Sequence, residues 1–138
     1  MRQIMSSKIS LQSVLIFFAL VLVDQALKFI VVRFYPQIVT FNSGILFGFV
    51  DNIFVILSLL VLGLVILGYL IWEAKHLEIS LILILSGAIS NIADRLMHEG
   101  VVDYITIKNW SNFNLADVYI VLGVLFYLYK LVFVAKNK

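Results

Sequence analysis

Four stretches of the chain are apolar for long enough to cross a bilayer, which takes ~20 residues at ~1.5 Å rise each. Ile53 to Trp72 carries no charge. Leu11 to about Val32 is apolar until Asp24, Gln25 and Lys28 interrupt its last third. Ile79 to about Leu96 turns polar at Ser90, Asn91, Asp94 and Arg95, and Val118 to Ala135 holds only Lys130. The pattern predicts an all-α polytopic membrane protein, a single membrane-embedded domain over 1–138 with transmembrane helices at about 11–32, 53–72, 79–96 and 118–135. The first segment carries charges and no small-residue cleavage site follows it, so it is expected to stay in the mature protein.

The connections differ in kind. Glu73 to Glu78 reads as a short polar turn, whereas Arg33 to Asn52 mixes Val, Ile, Phe, Thr, Asn and Gly in a way that suits short strands or an interfacial stretch. A small extracytoplasmic β-like or interfacial element is expected there. Composition agrees with the membrane reading: 63% of the 138 residues are apolar and 13% charged, with a mean hydropathy of +1.10. A soluble domain of this size cannot hide so much apolar surface. The absence of cysteine excludes disulfides, thiolate metal sites and a cysteine nucleophile. A net charge of +2, with no exposed basic run interleaved with aromatics, gives no ground for nucleic-acid binding. Partners are sought in the bilayer, membrane lipids among them.

Charge placement sets the orientation. With the N-terminus inside, Arg2, Lys8, Lys75, Lys130, Lys136 and Lys138 fall on the cytoplasmic side, and Lys28, Arg33, Arg95 and Lys108 toward the outer one. Both termini are then cytoplasmic. Of the eight carboxylates, six (Asp24, Asp51, Asp94, Glu99, Asp103 and Asp117) gather at the outer helix ends.

Ionisable groups in or beside a spanning helix are costly unless paired, and so mark candidate sites. Asp24 and Lys28 stand four apart on one helix face, the spacing of an ion pair. Asn91, Asp94 and Arg95 share another face. For both groups a structural network at a helix end is the simpler reading. Asp103 and Asp117 have no opposite charge at helical spacing, and each borders an apolar run at the lipid–water boundary. A fold that brings them together creates an acid pair sharing one proton, able to activate a water and protonate a scissile amide. Two other readings stand beside that one: Asp117 as a helix N-cap, and Asp103 as a solvated loop residue. His76 and His98 have no partner histidine at a metal-binding spacing, so no metal and no cofactor is expected.

Five blocks in order carry a resemblance. They are Asp24-Gln25-Ala26-Leu27-Lys28, Asn42-Ser43-Gly44-Ile45-Leu46-Phe47-Gly48, Gly87 to Leu96 with its Ser90-Asn91 and Asp94-Arg95, Gly100-Val101-Val102-Asp103-Tyr104-Ile105, and Phe113-Asn114-Leu115-Ala116-Asp117. On these the chain resembles the lipoprotein signal peptidase (signal peptidase II) family over nearly its whole length. The resemblance implies a monomeric, metal-free aspartic endopeptidase of the bacterial plasma (inner) membrane with its active site at the outer face. It implies as substrates prolipoproteins bearing a diacylglyceryl-cysteine, cut just before that cysteine. Asp103 and Asp117 would be the catalytic pair. Asp94 would support it, and Asn42, Gly44, Asn91, Arg95 and Asn114 would touch the substrate backbone or the pair, with Asp24 and Lys28 bracing the outer helix ends. The chain departs from the family pattern at bulky Ile45-Leu46, at Ser90 in place of a usual glycine, and in having only thirteen residues between Asp103 and Asp117. These departures bear on pocket shape. From other classes, a small proton-coupled transporter using Asp24, Lys28, Asp94 and Arg95, or a lipoprotein-binding scaffold that does not cut, are the alternatives.

Overall fold

The computed structural model describes residues 10–43, 63, 79–98, 100–108 and 111–134. α1 (Leu11–Phe34) starts at Ser10, whose hydroxyl accepts from Ser13 N, and ends at Tyr35, ahead of Pro36, which cannot continue a helix. A 3₁₀ turn (Pro36–Ile38) leads into β1 (Thr40–Asn42). α2 (Ile79–His98) is followed by β2 (Val101–Asp103), β3 (Ile105–Ile107) and β4 (Ser111–Phe113). α3 (Leu115–Tyr129) runs on into a π-type turn (Lys130–Val134).

Three described helices are long and apolar enough to cross a membrane: Leu11–Phe34, Ile79–His98 and Leu115–Phe133. The expected span at 53–72 lies outside the described residues except for Gly63, which is helical. The polar turn Glu73 to Glu78, Asp51, Gly44 and the Ile45-Leu46 pair also lie outside them. The β-like element expected at 33–52 supplies one strand, β1, in its described part, and the other strands of two small antiparallel sheets come from 101–113. β1 pairs with β2, Thr40 opposite Asp103 and Asn42 opposite Val101, and β3 pairs with β4, Ile105 opposite Phe113.

α3 begins three residues earlier than hydropathy suggests, at Leu115 instead of Val118. A reading by apolar run cannot see a polar first turn. Here Asn114 and Asp117 form a reciprocal capping box, the Asn114 side chain accepting from Asp117 N and the Asp117 carboxylate accepting from Asn114 N. Asp117 is therefore the third helical residue, and the reading of it as the N-cap is corrected.

α2 and α3 pack against each other at two glycines. A Cβ at Gly87 would collide with the Ala116 carbonyl oxygen and stand 2.7 Å from Ile120 Cγ1, and one at Gly123 would stand 2.6 Å from the Ser80 carbonyl oxygen. Small residues let helix backbones approach where lipid supplies no hydrophobic drive. Gly87→Ala and Gly123→Ala are each expected to destabilise the chain by about 1–3 kcal/mol, read as a lower thermal midpoint in detergent. Gly87 touches the first turn of α3, so only its variant should also shift the Asp117 side chain.

Candidate active site

The last third of α1 faces the polar half of α2. Lys28 is buried, and its ammonium lies 2.8 Å from Asp24 Oδ2 and 2.7 Å from Asp94 Oδ2, with its third N–H donated to Asn91 Oδ1 at 3.0 Å. All three donors of this ammonium are taken. The Asp24/Lys28 pair is thus not closed on itself, as helical spacing alone suggests, but is shared with α2. Ser90 Oγ donates to Asp24 Oδ2 at 2.6 Å. Gln25 Nε2 donates to Ser90 Oγ at 2.8 Å and to Asp94 Oδ1 at 2.9 Å.

From this network two asparagines reach the carboxylates at its edge. Asn91 Nδ2 donates to Asp117 Oδ1 at 2.8 Å. Asn114, fully buried, donates through Nδ2 to Asp103 Oδ1 at 2.9 Å and to Asn91 Oδ1 at 3.2 Å, while its backbone N–H donates to Asp117 Oδ2 at 3.0 Å. One residue therefore holds both Asp103 and Asp117. Asn42 Nδ2 donates to Asp103 Oδ2 at 3.1 Å, a diagonal contact across the β1–β2 pair. Asp103 is buried on a strand, which corrects the solvated-loop reading, and Asp117 is half-buried. Arg95 Nη1 donates to the Asn91 carbonyl at 3.3 Å and lies within electrostatic reach of Asp117, Asp103 and Asp94. Leu115 N donates to Tyr104 Oη at 3.3 Å, tying the β-hairpin to the start of α3.

A family model described as Signal peptidase (SPase) II matches residues 16–133. The chain belongs to the signal peptidase II family. A lipoprotein signal peptidase of Borrelia hermsii is 37% identical over 158 aligned positions, 91% of this chain and 92% of that one. One of Chlamydia caviae is 40% identical over 111 positions, 72% of this chain and 66% of that one. Two solved structures of a bacterial membrane enzyme share the fold. The first has a TM-score of 0.74 at 23% identity over 92% of this chain and 91% of its own. The second has a TM-score of 0.72 at 22% identity over 88% and 93%.

Nine of the ten sequence-predicted site residues of this family member, Asp24, Lys28, Asn42, Asn91, Asp94, Arg95, Asp103, Asn114 and Asp117, come together at one end of the helices. Gly44 lies outside the described residues. Gln25 and Ser90 were not given roles by sequence reasoning. A glutamine next to Asp24 inside an apolar helix was the available signal for the first. The hydroxyl of Ser90 is engaged between α1 and α2 with Asp24 and Gln25. Among the described residues no three of His, Cys, Asp and Glu are grouped to hold a metal ion.

Burial pushes the Asp103 carboxyl up to about 6 from its ordinary 3.8, and the negative charge of Asp117 adds to it. Hydrogen bonds from Asn42 and Asn114 and the charge of Lys28 oppose the rise. The folded chain thus holds this proton more tightly than the unfolded chain. The contribution of Asp103 to stability is fully present below 3.8 and is lost as the pH rises through about 6. Across that window the thermal midpoint in detergent should fall more for the native chain than for Asp103→Asn. Parallel curves would assign the proton elsewhere.

Proposed function

We propose that the chain is a metal-free aspartic endopeptidase that removes the signal peptide of prolipoproteins, with Asp103 and Asp117 as its catalytic pair. The observation that carries this reading is the bonding of both carboxylates to the single buried residue Asn114. Two carboxylates held so close do not both ionise readily, so the pair shares one proton. Asp103, the more buried and with its carboxyl raised to about 6, carries that proton in the acting form of the pair, which at neutral pH is the minor form. Asp117 takes a proton from a water as its oxygen attacks the scissile carbonyl. The pair then gives a proton to the amide nitrogen as the C–N bond breaks, and the roles alternate.

The substrate follows from family membership and from the place of the pair. The printed name of the Borrelia and Chlamydia relatives is lipoprotein signal peptidase. A cysteine carrying diacylglycerol is held in the bilayer by ~0.8 kcal/mol per buried CH₂, so a protease for it must work at the membrane boundary. Asp103 on β2 and Asp117 in the first turn of α3 stand where the small sheets meet the helix ends. With the N-terminus cytoplasmic, that end is the outer face of the bacterial plasma membrane. A proton-coupled transporter finds little support. Among the described residues, α1 before Asp24, α2 before Asp94 and α3 after Asp117 hold no Asp, Glu, Lys, Arg or His, so these three helices supply no relay along their lengths.

Purified chain in detergent or lipid should cut a diacylglyceryl-modified prolipoprotein before the lipidated cysteine, with chelator present, and leave the unlipidated peptide intact. Folded protein that binds such substrates without cutting any of them would make the chain a scaffold instead.

A further inference from the structure

The peptide just before each carboxylate of the pair is gripped by a second, buried carboxylate. Val102 N, preceding Asp103, donates to Asp94 Oδ2 at 3.1 Å. Ala116 N, preceding Asp117, donates to Asp24 Oδ1 at 2.9 Å. Both gripping carboxylates end on one ammonium, that of Lys28, at 2.8 and 2.7 Å. Its remaining N–H reaches Asn91 Oδ1 at 3.0 Å, and Asn91 in turn donates to Asp117 Oδ1 at 2.8 Å.

We propose that Lys28 is a positioning residue that sets the spacing of the catalytic pair, holding Asp103 through Asp94 and Asp117 through Asp24 and Asn91. The proposal rests on the assignment of Asp103 and Asp117 made above. An anchor for the end of α1 needs only the pair within that helix, Asp24 with Lys28. A second buried carboxylate on the same ammonium is electrostatically unfavourable by itself. What Asp94 gains from its place is the backbone of β2, one residue from Asp103. The two arms are alike: ammonium, carboxylate, peptide N–H, catalytic aspartate. They draw a helix start and a strand to a common origin, and Ser90 and Gln25 brace that origin from the side.

The symmetry also makes the arms separable. Asp94→Ala leaves Lys28 paired with Asp24, and Asp24→Ala leaves it paired with Asp94, so neither strands a buried charge. In full-length chain cutting a diacylglyceryl prolipoprotein peptide, each variant is expected to lower kcat about 100-fold with KM nearly unchanged, the signature of misplaced catalytic groups. Hydrogen exchange adds a residue-level readout. Asp94→Ala should expose the Val102 amide and spare Ala116, and Asp24→Ala should do the reverse, while the amides of α2 and α3 stay protected. Asp94→Asn keeps an acceptor for Val102 N and should recover part of kcat. Lys28→Met should loosen both amides; if it does not fold, the two alanine variants carry the test. A kcat equal to that of the native chain, or a loss that merely tracks the folded fraction, overturns the positioning role. Asp103→Asn and Asp117→Asn are run beside them. If those two are dead while the arm variants behave as native, only the positioning role fails; if those two retain turnover, the pair itself is misassigned.

Discussion

Asp103→Asn and Asp117→Asn are each expected to lower cleavage of a diacylglyceryl prolipoprotein by about 10⁴-fold or more, because acid–base partners acting as a unit fail together. The folded state should survive both. At position 103 an amide keeps an oxygen for one of the two donors, Asn114 Nδ2 or Asn42 Nδ2, that reach the carboxylate. At position 117 it keeps an oxygen for Asn91 Nδ2 or for the Asn114 backbone N–H. Asp103→Asn also removes a charge that burial disfavours, so at neutral pH it should match or exceed the native chain in thermal midpoint. The double variant is expected to be no slower than either single one. Turnover within about tenfold of native in a folded single variant would remove that residue from the pair.

Asn114 should be the most damaging position that carries no charge. It is fully buried, both N–H groups of its amide are donated, its side-chain oxygen caps α3, and its backbone N–H is held by Asp117. Asn114→Ala loses the cap, worth ~1 kcal/mol, and leaves buried polar partners unmet at ~1–3 kcal/mol, so a loss of about 2–4 kcal/mol is expected. Cleavage should fall by about 100-fold or more as the link between the two carboxylates goes. Asn114→Ser separates the two effects. Serine caps a helix about as well as asparagine and has no amide to reach Asp103 and Asn91. Its thermal midpoint should recover only the part due to the cap, about 1 kcal/mol of the loss, while cleavage stays low. Recovery of both together would mean that Asn114 matters only as a cap.

The membrane class was legible because it needs only a count of consecutive apolar residues, and α1 starts where that count starts it. The start of α3 was not, since a capping box is built from polar residues that a hydropathy reading discards. Resemblance named the site residues without saying what holds what. Asp24 with Lys28 was readable as a pair because four residues on one helix lie together whatever the fold. That Lys28 also meets Asp94, with the two carboxylates reaching the peptides before Asp103 and Asp117, depends on α1, α2, β2 and α3 converging. Such contacts join positions far apart along the chain, and no local period encodes them. The sequence by itself determined that carboxylates gather at one end of apolar helices, since hydropathy and spacing along a helix are local quantities. Only the tertiary structure decided which of them are braced by one ammonium and which are held by asparagines, because that depends on distances across elements, where a shift of an ångström makes or breaks a hydrogen bond.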